Sequence, residues 1–201
     1  MTTLLQINSS INNGKGESSQ LAQKFVAAYQ ASHPGTRVVT RDVAAGDQVP
    51  LLTAERFGAL ITPPEQRNAA QQAVVEYSDA LINELKLADL IVLGLPMYNF
   101  GVPSQLKAYF DHVARAGVTF KYSDKGPVGL LTGKKALVFA ARGGIYAGTP
   151  MDTQTSYVRD FLRFIGIAEV EFVYAEGLAY GPDAKAAAVA KAGEAALSLA
   201  A

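Results

Sequence analysis

The sequence predicts an α/β fold in which helices cover both faces of one parallel sheet. The first observation is that short apolar runs alternate with stretches of helical period five times along the chain, which is typical of parallel sheets. The second is the run Leu90–Leu95, which is apolar throughout, as expected of a strand buried on both faces. The third is length, because 201 residues without a repeat or a low-complexity linker fit one domain over residues 1–201.

Five segments are predicted to be the strands of this sheet. Each is short and largely apolar or β-branched, and each ends at polar or turn residues. In chain order they are Leu4–Asn8, Arg37–Val43, Asp89–Leu95, Ala136–Ala141 and Val170–Ala175. Five strands fit the flavodoxin-like order 2-1-3-4-5, in which ligands bind where the first and third strands meet.

The segments between the strands show the period of a helix. Their apolar stripes are Leu21, Phe25, Val26 and Tyr29; Val74, Ser78, Leu81 and Leu85 in a helix from about Pro64 to Leu87; Leu106, Tyr109, Phe110 and Val113; and Val158, Phe161, Leu162 and Ile165. The alanine-rich tail after Pro182 predicts a closing helix. Tyr157 and Phe164 lie about 100° to one side of the last stripe, where they either widen the core or meet a partner subunit. Residues 117–133 are expected to be a long loop, and such loops are often functional.

Composition excludes several classes of partner. The chain has 18 basic and 18 acidic residues and no basic run interleaved with aromatics, so no nucleic-acid partner is expected. It has no cysteine, which excludes disulfides and thiol nucleophiles and is compatible with a reducing compartment. Because no apolar run could span a bilayer and the first residues do not resemble a signal peptide, we expect a cytoplasmic protein without a membrane partner.

Acid–base, nucleophilic and metal chemistries lack their usual residues. The sequence contains no G-x-S-x-G motif and no His and carboxylate cluster with the spacing of a metal site. His33 and His112 are far apart, and His112 lies off the apolar stripe of its helix, so both are expected to be solvated. We therefore expect neither a catalytic side chain nor a bound metal.

The segment Pro96–Phe100, directly after the third strand, predicts a binding surface. The carboxyl ends of parallel strands are where ligands bind in open α/β sheets. Met97, Tyr98 and Phe100 suit a flat, partly apolar ring, and the Asn99 amide suits its polar edge. The alternative is that these side chains only cap the core.

The loop Ser9–Ser19 leaves the first strand and enters the first helix. Free N–H groups at a helix N-terminus, together with hydroxyl donors, form a phosphate site without Lys or Arg. The P-loop and G-x-G-x-x-G spacings are absent, which favours a mononucleotide. The alternative is an ordinary loop with serine caps, and Glu17 disfavours phosphate unless its carboxylate points to solvent.

A third segment, Arg142-Gly143-Gly144, follows the fourth strand. Two glycines there let the backbone approach a ligand closely, although a plain turn has the same composition. Arg142 is expected either to offset negative charge on a reduced ring or to form a surface ion pair.

These segments together resemble one family. The resemblance is carried by Pro96–Phe100, Pro103–Lys107, Ala114–Phe120, Thr132–Lys135, Arg142–Gly144, Phe164–Ile167 and Ala175–Gly177. They closely resemble the FMN-dependent NADH-azoreductases, which are bacterial flavodoxin-like quinone and azo-dye reductases. The similarity covers nearly the whole chain in order.

The resemblance implies a homodimer with two tightly bound FMN cofactors at the subunit interface. It implies ping-pong transfer of two electrons from NADH or NADPH, through the flavin and without a catalytic side chain, to quinones or aromatic azo compounds. The FMN contacts that it implies are Ser10, Gly16, Glu17, Ser18, Met97, Tyr98, Asn99, Phe100, Ala141, Arg142, Gly143 and Gly144. It also implies that Phe100, Tyr122 and Phe164 border the substrate pocket, in part from the partner subunit.

Two positions differ from many family members. Gly16-Glu17-Ser18 stands where Ser-Gln-Ser is common, and Ala141 stands where Ser is common. A lost neutral hydrogen bond is worth about 0.5–1.5 kcal/mol. We therefore expect FMN binding to be roughly tenfold weaker than with both hydroxyls.

Three other functions remain open at this point. A flavodoxin-like electron carrier is usually strongly acidic, which the balance of 18 basic and 18 acidic residues disfavours. A hydrolase of phosphopantetheine or similar esters lacks a nucleophile or metal site. A flavin-binding protein without substantial turnover has no sequence feature against it.

Overall fold

The computed structural model describes residues 1–45 and 49–201. The strands are β1 (Thr3–Asn8), β2 (Arg37–Asp42), β3 (Leu90–Pro96), β4 (Phe120–Ser123), β5 (Gly126–Gly129), β6 (Lys135–Ala141) and β7 (Glu169–Ala175). The helices are α1 (Glu17–Ser32), α2 (Ala54–Ile61), α3 (Ala69–Leu87), α4 (Ser104–Val113), α5 (Thr155–Phe164) and α6 (Pro182–Leu199). Short 3₁₀ turns cover Asn13–Lys15 and Pro64–Gln66.

Five parallel strands form the main sheet, in the spatial order β2-β1-β3-β6-β7. The predicted numbering, 2-1-3-4-5, differs because the sequence analysis did not anticipate β4 and β5. These two strands form a separate antiparallel hairpin inside the segment 117–133 that was expected to be a loop. Gly126, at the start of β5, has a φ of +108°, which a residue with a side chain rarely adopts.

Helices cover both faces of the sheet, as predicted. Along β3, Leu90 and Val92 pack into one core with α1 and α6. The alternate residues Ile91 and Leu93 pack into a second core with α3, α4 and α5. Strand β3 is buried along its whole length, because side chains of a strand point alternately to the two faces. The central position of β3 fixes the place where the following segment leaves the sheet.

The predicted start of the helix over residues 64–87, at about Pro64, is wrong. Helix α3 begins at Ala69, after a capping box in which Gln71 N–H donates to Asn68 Oδ1 (2.9 Å) and Asn68 N–H donates to Gln71 Oε1 (3.0 Å). The prolines at 63 and 64 cannot donate backbone hydrogen bonds. Helix α2, which has eight residues, was not predicted from the sequence. Residues 46–48 lie outside the described residues.

His112 is buried, and the prediction that it is solvated is wrong. Its side chain lies between helices, where Nε2 is 2.8 Å from the Pro50 carbonyl oxygen and the ring meets Tyr77 edge-on. Burial lowers the pKa of His112, although the Pro50 contact opposes this. His33, in contrast, is exposed, as predicted.

The described residues contain neither a helix that could span a membrane nor a group of side chains that could bind a metal ion. Within residues 1–45 and 49–201, no helix combines the length and the apolar character needed to cross a bilayer. The same residues contain no group of three His, Asp or Glu side chains arranged to hold a metal ion.

Candidate functional site

The loops after β1 and β3 meet at the carboxyl edge of the sheet. The Tyr98 hydroxyl accepts the Ile11 N–H (3.2 Å) and lies 3.3 Å from Ser10 Oγ. Ser9 Oγ donates to the Gly94 carbonyl (2.8 Å). These bonds occupy the Ser10 and Tyr98 hydroxyls within the protein. Both residues therefore brace the two loops against each other at the point where the strand order reverses.

The N-terminus of α1 presents unpaired donors at this edge. The N-cap, Gly16, has no side chain to accept the first N–H groups of the helix, so these groups are free. Ser18 Oγ and Ser19 Oγ are buried and have no hydrogen-bond partner within the described residues. Buried polar atoms without partners are rare in folded proteins. Together with the helix dipole, they form a site suited to a phosphate.

Two glycines bring this helix into place. A Cβ added at Gly16 would overlap Ser10 Oγ, so the serine common here in the resembling family needs a different Ser10 position. A Cβ added at Gly94 would lie 3.1 Å from the Ser18 carbonyl oxygen. The first turn of α1 therefore packs directly against the backbone of β3, which orients its free donors.

Glu17 does not point to open solvent at this site. Its Oε1 lies 2.5 Å from Nζ of Lys185 on α6, and the Glu17 side chain is 24% exposed. The lysine offsets the negative charge that disfavoured phosphate in the sequence analysis. Lys185 is thus a component of the site that sequence reasoning missed, because it lies far along the chain on another helix.

A strained turn over Tyr98–Gly101 follows β3. Asn99 and Phe100 have φ values of +49° and +64°, and the turn is closed by Tyr98 N–H to Gly101 O (3.2 Å) and Gly101 N–H to Tyr98 O (3.0 Å). Asn tolerates this region, whereas a bulky Phe is a genuine outlier there. Such strain costs about 1–3 kcal/mol per residue and is concentrated at functional sites. The turn leaves the Phe100 side chain 47% exposed at the sheet edge.

The turn is tied to the N-terminus of α5. The Gln154 side chain donates to the carbonyls of Pro96 and Gly101, and the Thr153 hydroxyl donates to the carbonyl of Phe100. Sequence reasoning missed both residues. The one available signal was a polar pair directly before the apolar stripe of α5.

The Arg142 side chain is buried among carboxylates, so the expectation of a surface ion pair is wrong. Its guanidinium is buried, with Nη2 3.0 Å from Asp152 Oδ1 and Nη1 3.1 Å from Glu176 Oε1. Nη2 also donates to Thr155 Oγ1 (2.9 Å), and the group lies over the Tyr174 ring. The charge of the arginine is therefore paired inside the protein and not in a surface ion pair.

Burial and hydrogen bonds shift the pKa of Asp152 in opposite directions. Burial raises the pKa of this carboxyl, but hydrogen bonds from Arg142 and Thr155 together outweigh it and hold the pKa below its usual value. Glu176, the other partner of Arg142, accepts the backbone N–H groups of Tyr146 and Ala147, both at 2.9 Å. The ion pairs thus hold the loop that follows Gly143 and Gly144.

A cleft of about 250 Å³ lies between the turn and this loop, lined by Met97, Asn99, Phe100, Gly143 and Tyr146. Phe100 and Tyr146 contact edge to face, with centroids 5.4 Å apart. A Cβ added at Gly144 would meet the end of the Tyr146 side chain, so the glycine lets this ring lie against the loop. None of the lining side chains is charged. Ala141, at the end of β6, is buried and accepts the Met97 N–H (3.0 Å), which joins the two walls.

Tyr122 and Phe164 are not part of this cleft. Phe164 packs on Phe120 (4.2 Å between centroids), and Phe120 packs edge-on against Tyr122. This cluster lies beside the segment that enters β6, because Leu131 N–H donates to Ile165 O (2.9 Å). A strand of seven residues separates that edge from the cleft by about 20 Å. The predicted pocket of Phe100, Tyr122 and Phe164 is therefore not assembled within one chain.

Four other cavities in the described part of the chain are larger than the cleft, and the two largest lie elsewhere on the molecule. One, of about 460 Å³, lies between α2 and α3 beside Arg56 and Tyr77. The other, of about 440 Å³, lies beside α4 and α5 next to Lys107 and Tyr157. The small cleft is the cavity lined by Met97, Asn99 and Phe100. These residues flank Tyr98, which contacts the loop between β1 and α1.

Comparisons with known proteins agree with this geometry. A family model described as a flavodoxin-like fold matches residues 2–199. The FMN-dependent NADH:quinone oxidoreductase of Cellvibrio japonicus (strain Ueda107) is 59% identical over 191 residues, which cover 95% of this chain and 96% of that protein. The crystal structure of an azoreductase from Bacillus anthracis str. Sterne superposes with a TM-score of 0.90 at 29% identity, covering 100% of this chain and 99% of that one. An FMN-dependent NADH-azoreductase from Bacillus anthracis str. Ames Ancestor, solved in complex with FMN, has a TM-score of 0.87 at 28% identity over 100% of both chains.

Proposed function

Since the chain belongs to the flavodoxin-like fold family, we propose that it is an FMN-dependent NADH:quinone oxidoreductase that also reduces aromatic azo compounds. The proposal rests on the similarity to the oxidoreductase of Cellvibrio japonicus, at 59% identity, and to azoreductase structures. The structural observation that supports it best is one continuous edge that combines orphaned donors with an uncharged cleft. That combination suits a molecule with an anionic end and a flat neutral end.

The residues present fit the phosphate end of FMN. Ser18 and Ser19 supply buried hydroxyls without other partners, and the N-cap Gly16 leaves the helix N–H groups free. Lys185 neutralises Glu17, so no uncompensated carboxylate faces a phosphate here. Ser10, held against Tyr98, acts as a brace for this loop.

The residues present also fit the flavin ring. The cleft supplies a thioether from Met97, an aromatic wall from Phe100 and exposed backbone at Gly143. The side chain of Asn99 is exposed at the same place and suits the polar edge of the ring. Arg142 contributes through the loop that its side chain fixes, because the charge is paired with Asp152 and Glu176. Its backbone N–H and carbonyl are bonded to Ala175 and Leu178.

FMN, when bound, supplies the two-electron redox chemistry between NADH and the acceptor. The protein residues bind and orient it, and exclude water from one face of the cleft. A ping-pong sequence, in which donor and acceptor use one place in turn, requires no acid–base side chain. This agrees with the absence of charged side chains among the residues that line the cleft.

The assembly and location belong to the same proposal. We expect residues 1–201 to act as one domain and two chains to form a homodimer with FMN at the interface. The separation of Tyr122 and Phe164 from the cleft supports the dimer, because only a second copy could bring them to it. The absence of cysteine supports a cytoplasmic location.

The test is to purify the protein, saturate it with FMN and record its visible spectrum under anaerobic conditions. We expect a yellow protein that bleaches with NADH and recovers its colour when benzoquinone is added. An azo dye should restore the colour as well, and steady-state rates should give parallel double-reciprocal lines.

Two outcomes would contradict the proposal. Protein that binds no FMN on titration would exclude a flavoenzyme. Protein that binds FMN but accumulates a stable one-electron form and turns NADH over negligibly would instead support an electron carrier, which the balance of 18 basic and 18 acidic residues disfavours.

A further inference from the structure

The side chain of Gln154 spans the base of the strained turn. It is fully buried, and its Nε2 donates to the carbonyls of Pro96 (2.9 Å) and Gly101 (3.1 Å). One carbonyl precedes the turn Tyr98–Gly101, and the other closes it. Because both neighbours are acceptors, only the NH₂ group of the amide can face them. The two bonds therefore fix the distance between the ends of the turn.

Helix α5 does not need this side chain. Gln154 is the N-cap residue, but its side chain makes no capping bond, and Gln is not among the residues favoured at that position. The first turn of α5 is capped by Asp152, whose Oδ1 accepts the Thr155 N–H at 3.0 Å. The amide at position 154 thus acts on the turn and not on its own helix.

Burying the glutamine here has a cost in free energy as well as a gain. Gln154 Oε1 has no hydrogen-bond partner within the part of the chain that the structure describes. An unpaired buried acceptor costs free energy, which offsets part of the gain from the two bonds that the same side chain donates. A polar residue at such a position indicates that its hydrogen bonds are needed to fix the conformation of a neighbouring segment.

The segment that needs to be fixed is the turn Tyr98–Gly101. Phe100 has a φ of +64°, which a bulky residue adopts only when its surroundings impose it. Its carbonyl accepts the Thr153 hydroxyl, so a second bond from the same segment acts on the strained residue. Without these bonds the backbone would relax towards negative φ, and Asn99 and Phe100 would leave the cleft that they line.

We propose that Gln154 is a positioning residue that holds the turn Tyr98–Gly101 in the conformation that binds the flavin ring. This rests on the proposed function, since it deepens the description of the same site. Gln154 acts through the carbonyls of Pro96 and Gly101 and does not line the cleft. Its effect is therefore on the shape of the ring site and not on its charge.

The experiment compares Gln154→Leu with the matched control Ser78→Ala. Ser78 is also buried and donates to a backbone carbonyl, that of His112 (2.6 Å), but between α3 and α4, away from the cleft. Gln154→Asn serves as a second variant, because it keeps an amide in the site and shortens it by one methylene. Each protein is studied by hydrogen exchange without FMN, and by FMN titration and visible spectroscopy.

We expect the amides of Tyr98 and Gly101 to exchange at least tenfold faster in ligand-free Gln154→Leu than in the parent, because they close the turn. FMN affinity should fall at least tenfold, and the bound flavin spectrum should shift. Gln154→Asn should lie between Gln154→Leu and the parent. Ser78→Ala should lower thermal stability while leaving turn exchange, FMN affinity and spectrum unchanged.

The outcomes separate this inference from the proposed function. Suppose that the parent binds FMN and that Gln154→Leu has the hydrogen-exchange rates, FMN affinity and flavin spectrum of the parent. The positioning role of Gln154 is then overturned, while the proposed function is unaffected. Faster exchange with unchanged FMN affinity also overturns the positioning role, because the turn would then not control binding. If both Gln154 variants fail to fold while Ser78→Ala folds, the residue is structural and the inference fails. A parent that binds no FMN overturns the proposed function itself.

Discussion

At the scale of single residues, the charge balance of the phosphate end depends on one ion pair. Glu17 occupies the first position of α1, next to the free N–H groups, and Lys185 lies 2.5 Å from it. A lone carboxylate there would repel a phosphate, while the pair is neutral. The pair is partly exposed, so its worth is about 0.2–1 kcal/mol.

The first residue-scale prediction is that Lys185→Met weakens FMN binding about two- to fivefold, which corresponds to the upper part of that range of free energy. The loss arises because Glu17 then faces the phosphate without its partner. Glu17→Gln in the same chain should restore the parental affinity. The measurement is FMN titration of the ligand-free protein by flavin fluorescence.

Lys191→Met is the matched control, because it removes the same charge from an exposed position of α6. It should change FMN affinity less than twofold. The effect of Lys185→Met should also shrink at high salt, since partly exposed charges are screened. Equal effects of the two lysine variants would show that only the net charge matters.

Sequence reasoning reached the chemistry of individual residues only where neighbours along the chain determine it. Met97–Phe100 follow a buried strand directly, so their place at the sheet edge could be predicted from the sequence. The direction of the Arg142 side chain could not, because its partners Asp152 and Glu176 come from other segments. Lys185 and Gln154 were missed for the same reason, since each meets the site only through tertiary packing.

At the scale of elements, one buried ion network joins three loops. Arg142, at the end of β6, pairs with Asp152 before α5 and with Glu176 after β7. Glu176 in turn holds the backbone of Tyr146 and Ala147 beside the cleft. Removing the arginine would leave two carboxylates without a counter-charge in a buried place, which typically costs about 3–5 kcal/mol.

The element-scale prediction is that Arg142→Met lowers the free energy of unfolding by about 3–5 kcal/mol at pH 7. The folded pKa of Asp152 lies below its usual value, so this contribution is present above the unfolded pKa of about 3.9 and is lost as the pH falls through the folded pKa. The difference between parent and variant should therefore narrow below about pH 4. Urea unfolding between pH 3 and pH 7 measures it.

Lys135→Met provides the comparison for Arg142→Met. Lys135 pairs with Glu169 and Glu171 at an exposed edge, where its side chain is 39% exposed. Its loss should cost less than about 1 kcal/mol. A similarly small cost for Arg142→Met would mean that the buried network does not hold the three loops.

The five main strands could be predicted from sequence, and their ends differ from the structure by one residue or so. Largely apolar and buried runs define β1, β3 and β6. The edge strands β2 and β7 are only partly buried and are marked by β-branched and aromatic residues. The missed elements are those with few buried residues. Helix α2 buries only Ala59, and most of hairpin β4–β5 is not buried, so neither leaves a clear apolar period.

At the scale of the whole molecule, the two predicted halves of the substrate pocket lie at opposite edges of the sheet. The ring cleft is at the carboxyl edge, and the cluster of Phe120, Tyr122 and Phe164 is beside the amino end of β6. Tyr122 is 75% exposed, although its ring packs edge-on against Phe120. In a two-fold dimer, the cluster of one chain meets the partner chain at a symmetric interface.

The last prediction is that two defective chains restore activity when they are mixed. Gly16→Val disrupts the FMN cradle, because its branched side chain would displace Ser10, but leaves the aromatic cluster intact. The double variant Tyr122→Ala and Phe164→Ala does the reverse. If each pocket takes its cradle from one chain and its aromatics from the other, random pairing after refolding together gives intact pockets at about a quarter of all sites. Quinone reductase activity per chain, measured at saturating FMN, should therefore rise to about a quarter of the parent value.

The control pairs Gly16→Val with Leu197→Ala. Leu197 is an exposed apolar residue on the opposite face of the sheet, and its variant should itself behave as the parent. A mixture of the two defective chains that shows only the average of their separate activities would place the whole pocket within one chain.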